Sequence, residues 1–93
     1  MSPNITKSVT SRIKKYADDL QKYVVITYPN DHPPAHVHFE LDEKIAVINL
    51  VSEVRVRQSR GFNESQLGEI LELATYFREF LLDKWDELHR RRV

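Results

Sequence analysis

Apolar residues recur at helical intervals at both ends of the chain and at strand intervals in the middle. The N-terminal set follows spacings of four and three residues, at Val9, Ile13, Tyr16, Leu20 and Tyr23. Such spacings place the apolar side chains on one side of a helix. The pattern predicts a short N-terminal helix within residues 1–22, running from about residue 8 to residue 21.

Residues 23–60 instead have the β-branched content and the alternation of an antiparallel sheet. Residues 23–28 predict a first strand. Over residues 35–41, apolar and polar positions alternate, so the second strand has one apolar face and one polar face. The apolar face carries Ala35, Val37, Phe39 and Leu41, and the polar face carries His36, His38 and Glu40. A third strand over residues 45–51 and a weaker fourth strand over residues 54–57 complete the predicted sheet.

A single long helix is predicted over residues 63–91. Asn63 is a favourable N-cap residue, and Gln66 three positions later completes a capping box. The apolar positions of this helix cover an arc wider than the roughly 100° that one packing face requires. Leu67 and Tyr76, for example, lie on opposite sides of it. We therefore expect the N-terminal helix or a second subunit to cover part of the long helix, and we predict a homodimer.

These elements predict one α+β domain over residues 1–93, with an antiparallel sheet of three to four strands packed on the long C-terminal helix. The 93 residues carry 14 basic and 14 acidic side chains and no cysteine. The balanced charge argues against a globally basic nucleic-acid binder, and the lack of cysteine excludes disulfides and thiolate chemistry. No apolar run approaches the roughly 20 residues of a membrane span. We expect a cytoplasmic protein that makes no membrane contact.

The richest candidate chemistry lies in the string from Asp31 to His38, which holds three of the four histidines. On a strand, His36 and His38 have Cα atoms about 6.7 Å apart and point the same way, which suits two ligands of one metal. A third ligand would have to be His32 or Asp31 folding back. An extended polyproline segment would instead place His32 about 12 Å from His36. The spacing therefore predicts no resident metal and no cofactor.

Acid–base chemistry makes fewer geometric demands on the same histidines. His32, His36 and His38 are the predicted catalytic residues, because histidine donates and accepts protons near neutral pH. Nearby arginines would hold a phosphate, and the predicted phosphate-binding residues are Arg55, Arg57 and Arg60. Together these groups suit a metal-independent ribonuclease-like activity on RNA. The alternative is that the two strand histidines are simply the solvent-facing side of a two-sided strand.

One family resemblance rests on motifs in this order. The strings are Asp31-His32-Pro33-Pro34, His36-Val37-His38 and Arg60-Gly61-Phe62, followed by a helix that carries Leu67, Ile70 and a late Trp85. Across residues 23–88 the chain resembles the bacterial domain-of-unknown-function 4160 family. The resemblance implies a prokaryotic protein from a two-gene, toxin–antitoxin-like module, with a small protein partner encoded by the adjacent gene. It implies no established activity.

Three functions are consistent with these observations. The first is a toxin-like component of such a module that acts on RNA through the histidines. The second is a non-catalytic protein-binding module, an antitoxin or regulatory partner, which docks through its apolar helix. The third is a metal-binding protein. An enzyme would depend on the histidine face, whereas a binding module would depend on the helix surface.

Overall fold

The computed structural model describes residues 14–89, which form a four-stranded sheet and three helices. Helix α1 covers residues 14–20. The other elements are β1 (Val24–Ile26), β2 (His36–Leu41), β3 (Lys44–Asn49), β4 (Arg55–Arg60), α2 (Glu64–Tyr76) and α3 (Arg78–His89). This arrangement confirms the predicted α+β fold. The predicted start of the N-terminal helix and the end of the C-terminal one lie outside the described residues.

The sheet is antiparallel throughout, with the strands side by side in chain order. A two-residue turn joins β2 to β3, and Asp42 in this turn has a left-handed φ of 57°, which Asp tolerates better than most residues. In the resulting register His36 lies opposite Asn49, and His38 lies opposite Val47. These four side chains therefore share one face of the sheet.

The other face of β2 forms the centre of the core, as its alternation predicts. Val37 and Phe39 are 1% and 0% exposed, and Ile48 of β3 is equally buried. They pack with apolar residues of α2 and α3, chiefly Ile70, Leu73, Ala74, Leu81 and Trp85. The apolar stripe of the C-terminal segment is thus largely core.

The predicted single helix over residues 63–91 is wrong in one respect, because the structure has two helices with a break at Phe77. The capping box is confirmed, with Asn63 and Gln66 each accepting from the other's backbone N–H. At the break, Phe77 has φ −97° and ψ 16°. The next residue, Arg78, donates from Nε to Leu50 O at 2.7 Å. This long-range bond fixes the start of α3 against the end of β3, and nothing in the helical periodicity signals it.

Helix α1 covers part of the wide apolar arc. The ring of Tyr76 stacks on Tyr16 of α1, with 4.2 Å between centroids. Tyr76 remains 45% exposed and Phe80 54% exposed. The homodimer stays a prediction. Among residues 14–89, no helix has the length and apolar content needed to cross a membrane.

Candidate metal centre

The two strand histidines lie on one face of β2, as predicted, but that face is not open to solvent. His36 is only 5% exposed, and the His38 side chain is 16% exposed. The ring centroid of His36 lies 5.2 Å from that of Trp85, and the ring of His38 lies 5.1 Å from that of Tyr28. The interpretation of the two histidines as the solvent-facing side of the strand is therefore wrong, because aromatic rings from α3 and from the segment before β2 pack against them.

Asp31 completes the site, although an extended segment before β2 would hold this residue away from the two histidines. A turn over residues 28–31 orients its side chain, because the Tyr28 N–H donates to Asp31 Oδ2 at 3.0 Å and the Asp31 N–H donates to Tyr28 O at 3.1 Å. The Pro33–Pro34 peptide bond is cis. The chain folds back and brings the Asp31 carboxylate onto the histidine face.

The Asp31 carboxylate faces both imidazole rings. Its Oδ2 atom lies 3.5 Å from His36 Nε2 and 3.4 Å from His38 Nε2. Ligand atoms from all three residues lie within 4.8 Å of one another. Charge-assisted N–H···O bonds are about 2.7–2.9 Å long, so these contacts are too long to be good hydrogen bonds.

The histidine nitrogens have unequal environments. His36 Nδ1 lies 3.0 Å from Pro34 O. A carbonyl oxygen only accepts, so in the neutral form of the ring the proton lies on Nδ1 and the lone pair of Nε2 faces Asp31. Both His38 nitrogens are buried without a hydrogen-bond partner among the described residues. A carboxylate facing such nitrogens needs a positive species between them, either a proton or a metal ion.

The third predicted histidine is not part of this cluster. His32 is exposed and lines a cavity of about 320 Å³ beside Asp31, together with Pro33, Trp85 and His89. His89 is the fourth histidine of the chain, and its ring nitrogens lie 2.8 Å from Trp85 O and 3.2 Å from Asp31 O. It therefore links the end of α3 to the backbone of the Asp31 turn.

Only one of the three predicted phosphate-binding arginines forms a hydrogen bond with residues around the cluster. Arg57 donates from Nε to Asn49 Oδ1 at 2.8 Å and from Nη2 to Pro34 O at 3.4 Å. Arg55 lies opposite Asn49, on the same face. Arg60 lies at the far end of β4 in a cleft with Glu40, Asp42, Glu43 and Lys44. The structure therefore does not bring the three arginines together.

A second polar cluster, away from the histidines, ties β1 and α1 to α2. The Tyr23 hydroxyl donates to Glu69 Oε1, and Lys22 Nζ bonds both carboxylate oxygens of Glu69 at 3.1 and 3.0 Å. The Tyr23 hydrogen bond, supported by Lys22, holds the pKa of Glu69 below its ordinary value. Burial, followed by the bond to Glu69, raises the pKa of Tyr23. This cluster joins elements of the fold and carries no sign of a ligand site.

The fold and site define a small α+β domain with a His, His, Asp cluster on one face of its sheet. The family model described as Domain of unknown function (DUF4160) matches residues 22–86. The chain belongs to this family, as its motifs indicate. Comparison with curated proteins and with solved structures found no match. The matched range holds all three residues of the cluster and begins after α1.

Proposed function

We propose that this domain binds one divalent transition metal ion through Asp31, His36 and His38. The observation that carries the proposal is the position of Asp31 Oδ2, 3.4–3.5 Å from the Nε2 atoms of both histidines. Zinc–nitrogen and zinc–oxygen bonds of about 2.0–2.1 Å in a tetrahedron separate neighbouring ligand atoms by about 3.3–3.4 Å. These two separations are close to the edges of a tetrahedral site, and all three ligand atoms lie within 4.8 Å of one another.

The ligand types favour zinc, which binds histidine nitrogen and carboxylate oxygen. Two imidazoles and one carboxylate also form the ligand set of non-haem iron sites, so Fe²⁺ is the competitor. Three protein ligands fill three of four tetrahedral positions, and an exogenous ligand takes the fourth, as in catalytic zinc sites.

Contacts around the ligands support this assignment. Metal-binding histidines ordinarily donate their other ring N–H to a carbonyl or carboxylate, and ligating carboxylates are themselves hydrogen-bonded. His36 makes such a bond to Pro34 O, and Asp31 accepts the Tyr28 N–H. Both supporting groups come from residues 28–34, so a single folded-back segment supplies one ligand and orients another.

The second proposal is the toxin-like, RNA-acting role through acid–base chemistry. It is favoured by the carboxylate of Asp31 beside two imidazoles, since a carboxylate that orients a histidine is the usual support of a general base. It assigns a proton to the position that the first proposal assigns to a metal. A metal ion and a proton would occupy the same nitrogen lone pairs of the histidines. The metal content of the protein therefore distinguishes the two proposals.

The test is a metal titration of protein stripped with chelator, using Zn²⁺ in competition with a chromophoric chelator. Wild type should bind one equivalent per chain, and Asp31→Asn and His38→Gln should each weaken binding at least tenfold. The matched control is His32→Gln, an exposed histidine in the same string, which should bind as wild type does. No binding by wild type, or equal weakening by the His32 and His38 variants, would contradict the proposal.

A further inference from the structure

We infer that the metal site takes a phosphate group as its exogenous ligand, with one phosphate oxygen on the metal and another on Arg57. The inference rests on the proposed metal site and adds the class of ligand. It follows from where β4 places Arg57, from the lack of a charge partner for this side chain, and from the net charge around the metal.

A β-bulge places Arg57 beside the metal ligands. Val47 pairs with Gln58 and Ile48 pairs with Val56, so Arg57 is the extra residue on β4. Bulges change the direction of a side chain and are frequent next to active sites. The bond from Arg57 Nε to the side chain of Asn49 then holds the guanidinium on the histidine face, because Asn49 lies opposite His36.

Arg57 and His36 share a hydrogen-bond acceptor. Pro34 O lies 3.0 Å from His36 Nδ1 and 3.4 Å from Arg57 Nη2. The guanidinium therefore lies next to a metal ligand, with Nε bonded to Asn49 Oδ1 and with no hydrogen bond from Nη1 to a described residue. A planar fork with unused N–H donors is suited to a phosphate oxygen.

The charges favour an anion at this position. A divalent ion with one carboxylate and two neutral imidazoles keeps a net positive charge, to which Arg57 adds one more. Within residues 14–89, no carboxylate lies within 4.0 Å of the Arg57 guanidinium, since none of the ion pairs includes it. A phosphate balances both charges and can bridge them, because its oxygens point in different directions.

Arg60 provides the matched comparison on the same strand. It lies opposite Ile45 and shares a cleft with Glu40, Asp42, Glu43 and Lys44, in which three carboxylates outnumber two basic groups. These carboxylates repel a phosphate. Arg60 is thus an exposed arginine of the same strand that should play no part in binding.

The experiment follows the visible spectrum of the cobalt(II)-loaded protein as inorganic phosphate is added. The binding of cobalt is measured first for wild type, Arg57→Gln, Arg57→Lys and Arg60→Gln. Phosphate should change the wild-type spectrum saturably. Arg57→Gln should raise the half-saturating phosphate concentration at least tenfold, Arg57→Lys should recover part of this loss, and Arg60→Gln should behave as wild type.

The outcomes separate the two proposals. Failure of wild type to bind cobalt overturns the metal site itself. Normal cobalt binding with no spectral response to phosphate, or with an equal response in Arg57→Gln and wild type, overturns only the phosphate inference. A nucleoside 5′-monophosphate and a dinucleotide whose only phosphate is an internal diester are titrated in parallel. The ligand that binds most tightly identifies the preferred group as inorganic phosphate, the terminal phosphate of a mononucleotide or the internal diester of a dinucleotide.

Discussion

Asp31 and His38 face each other on the surface of the sheet, with 3.4 Å between Asp31 Oδ2 and His38 Nε2. Neither ring nitrogen of His38 has a hydrogen-bond partner among the described residues, and both are buried. Buried polar atoms are nearly always satisfied in folded proteins, so an unsatisfied pair needs a physical explanation. A metal ion shared with His36 accounts for the His38 Nε2 atom and for its long separation from the carboxylate.

Zinc should stabilise the fold. A ligand that binds only the folded state at 100 times its dissociation constant adds about 2.7 kcal/mol to the free energy of unfolding. Thermal melts with and without excess Zn²⁺ should therefore show a higher melting temperature for wild type and a clearly smaller rise for Asp31→Asn, whose affinity for zinc is at least tenfold lower. A zinc-induced rise of equal size in both proteins would place the ion elsewhere.

His36 should matter for stability even without metal. Its ring is 5% exposed, contacts Trp85 and bonds Pro34 O, so His36→Ala removes a buried hydrogen bond and leaves a gap. We expect a loss of about 1–3 kcal/mol in urea unfolding of the metal-free protein. Glu40→Ala on the same strand should stay within about 0.5 kcal/mol. Equal stability of the His36 and Glu40 variants would show that the histidine face is not packed.

The opposite face of the sheet should be more sensitive to truncation. Phe39 is fully buried, and Phe39→Ala should cost about 3–5 kcal/mol through lost burial and the cavity left behind. Val24 on the neighbouring strand is 57% exposed, so Val24→Ala should change stability by about 0.5 kcal/mol or less. Urea unfolding measures the loss of stability in both variants. Similar losses would contradict the assignment of Phe39 to the core and of Val24 to the surface.

The Glu69 cluster should make part of the stability sensitive to acid. The pKa of the Glu69 carboxyl is lowered in the folded protein from 4.5, so ionised Glu69 stabilises the fold above that pH. The contribution decreases as the pH falls from 4.5 through the lowered folded-state pKa. Tyr23→Phe removes the main cause of the shift and keeps the ring. The stability difference between wild type and Tyr23→Phe should be constant near neutral pH and shrink below pH 4.5, and a difference that grows on acidification would contradict this.

Much of the fold follows from local patterns. The alternation around Val37 and Phe39 specifies which face of β2 packs in the apolar core, and the pairing of Asn63 with Gln66 specifies where α2 begins. The break at Phe77 has no comparable signal, since the segment contains no Gly or Pro near it. It accompanies a contact between Arg78 and Leu50 that joins residues 28 positions apart.

Only part of the site can be predicted from the sequence. The shared direction of His36 and His38 follows from strand periodicity, but the participation of Asp31 depends on how residues 28–35 fold. The Pro33-Pro34 pair indicates a restricted backbone without specifying which way the chain turns. The importance of Arg57 over Arg60 depends on a bulge, and a bulge is a property of strand pairing that one strand's sequence does not show.

The most direct test of the metal site is anomalous X-ray diffraction at the zinc absorption edge, on crystals grown with one equivalent of zinc per chain. The account predicts a single anomalous peak per protomer, about 2.0–2.1 Å from the ligand atoms of Asp31, His36 and His38. Fully loaded crystals with the peak at other residues, or with no peak at these three, would contradict it.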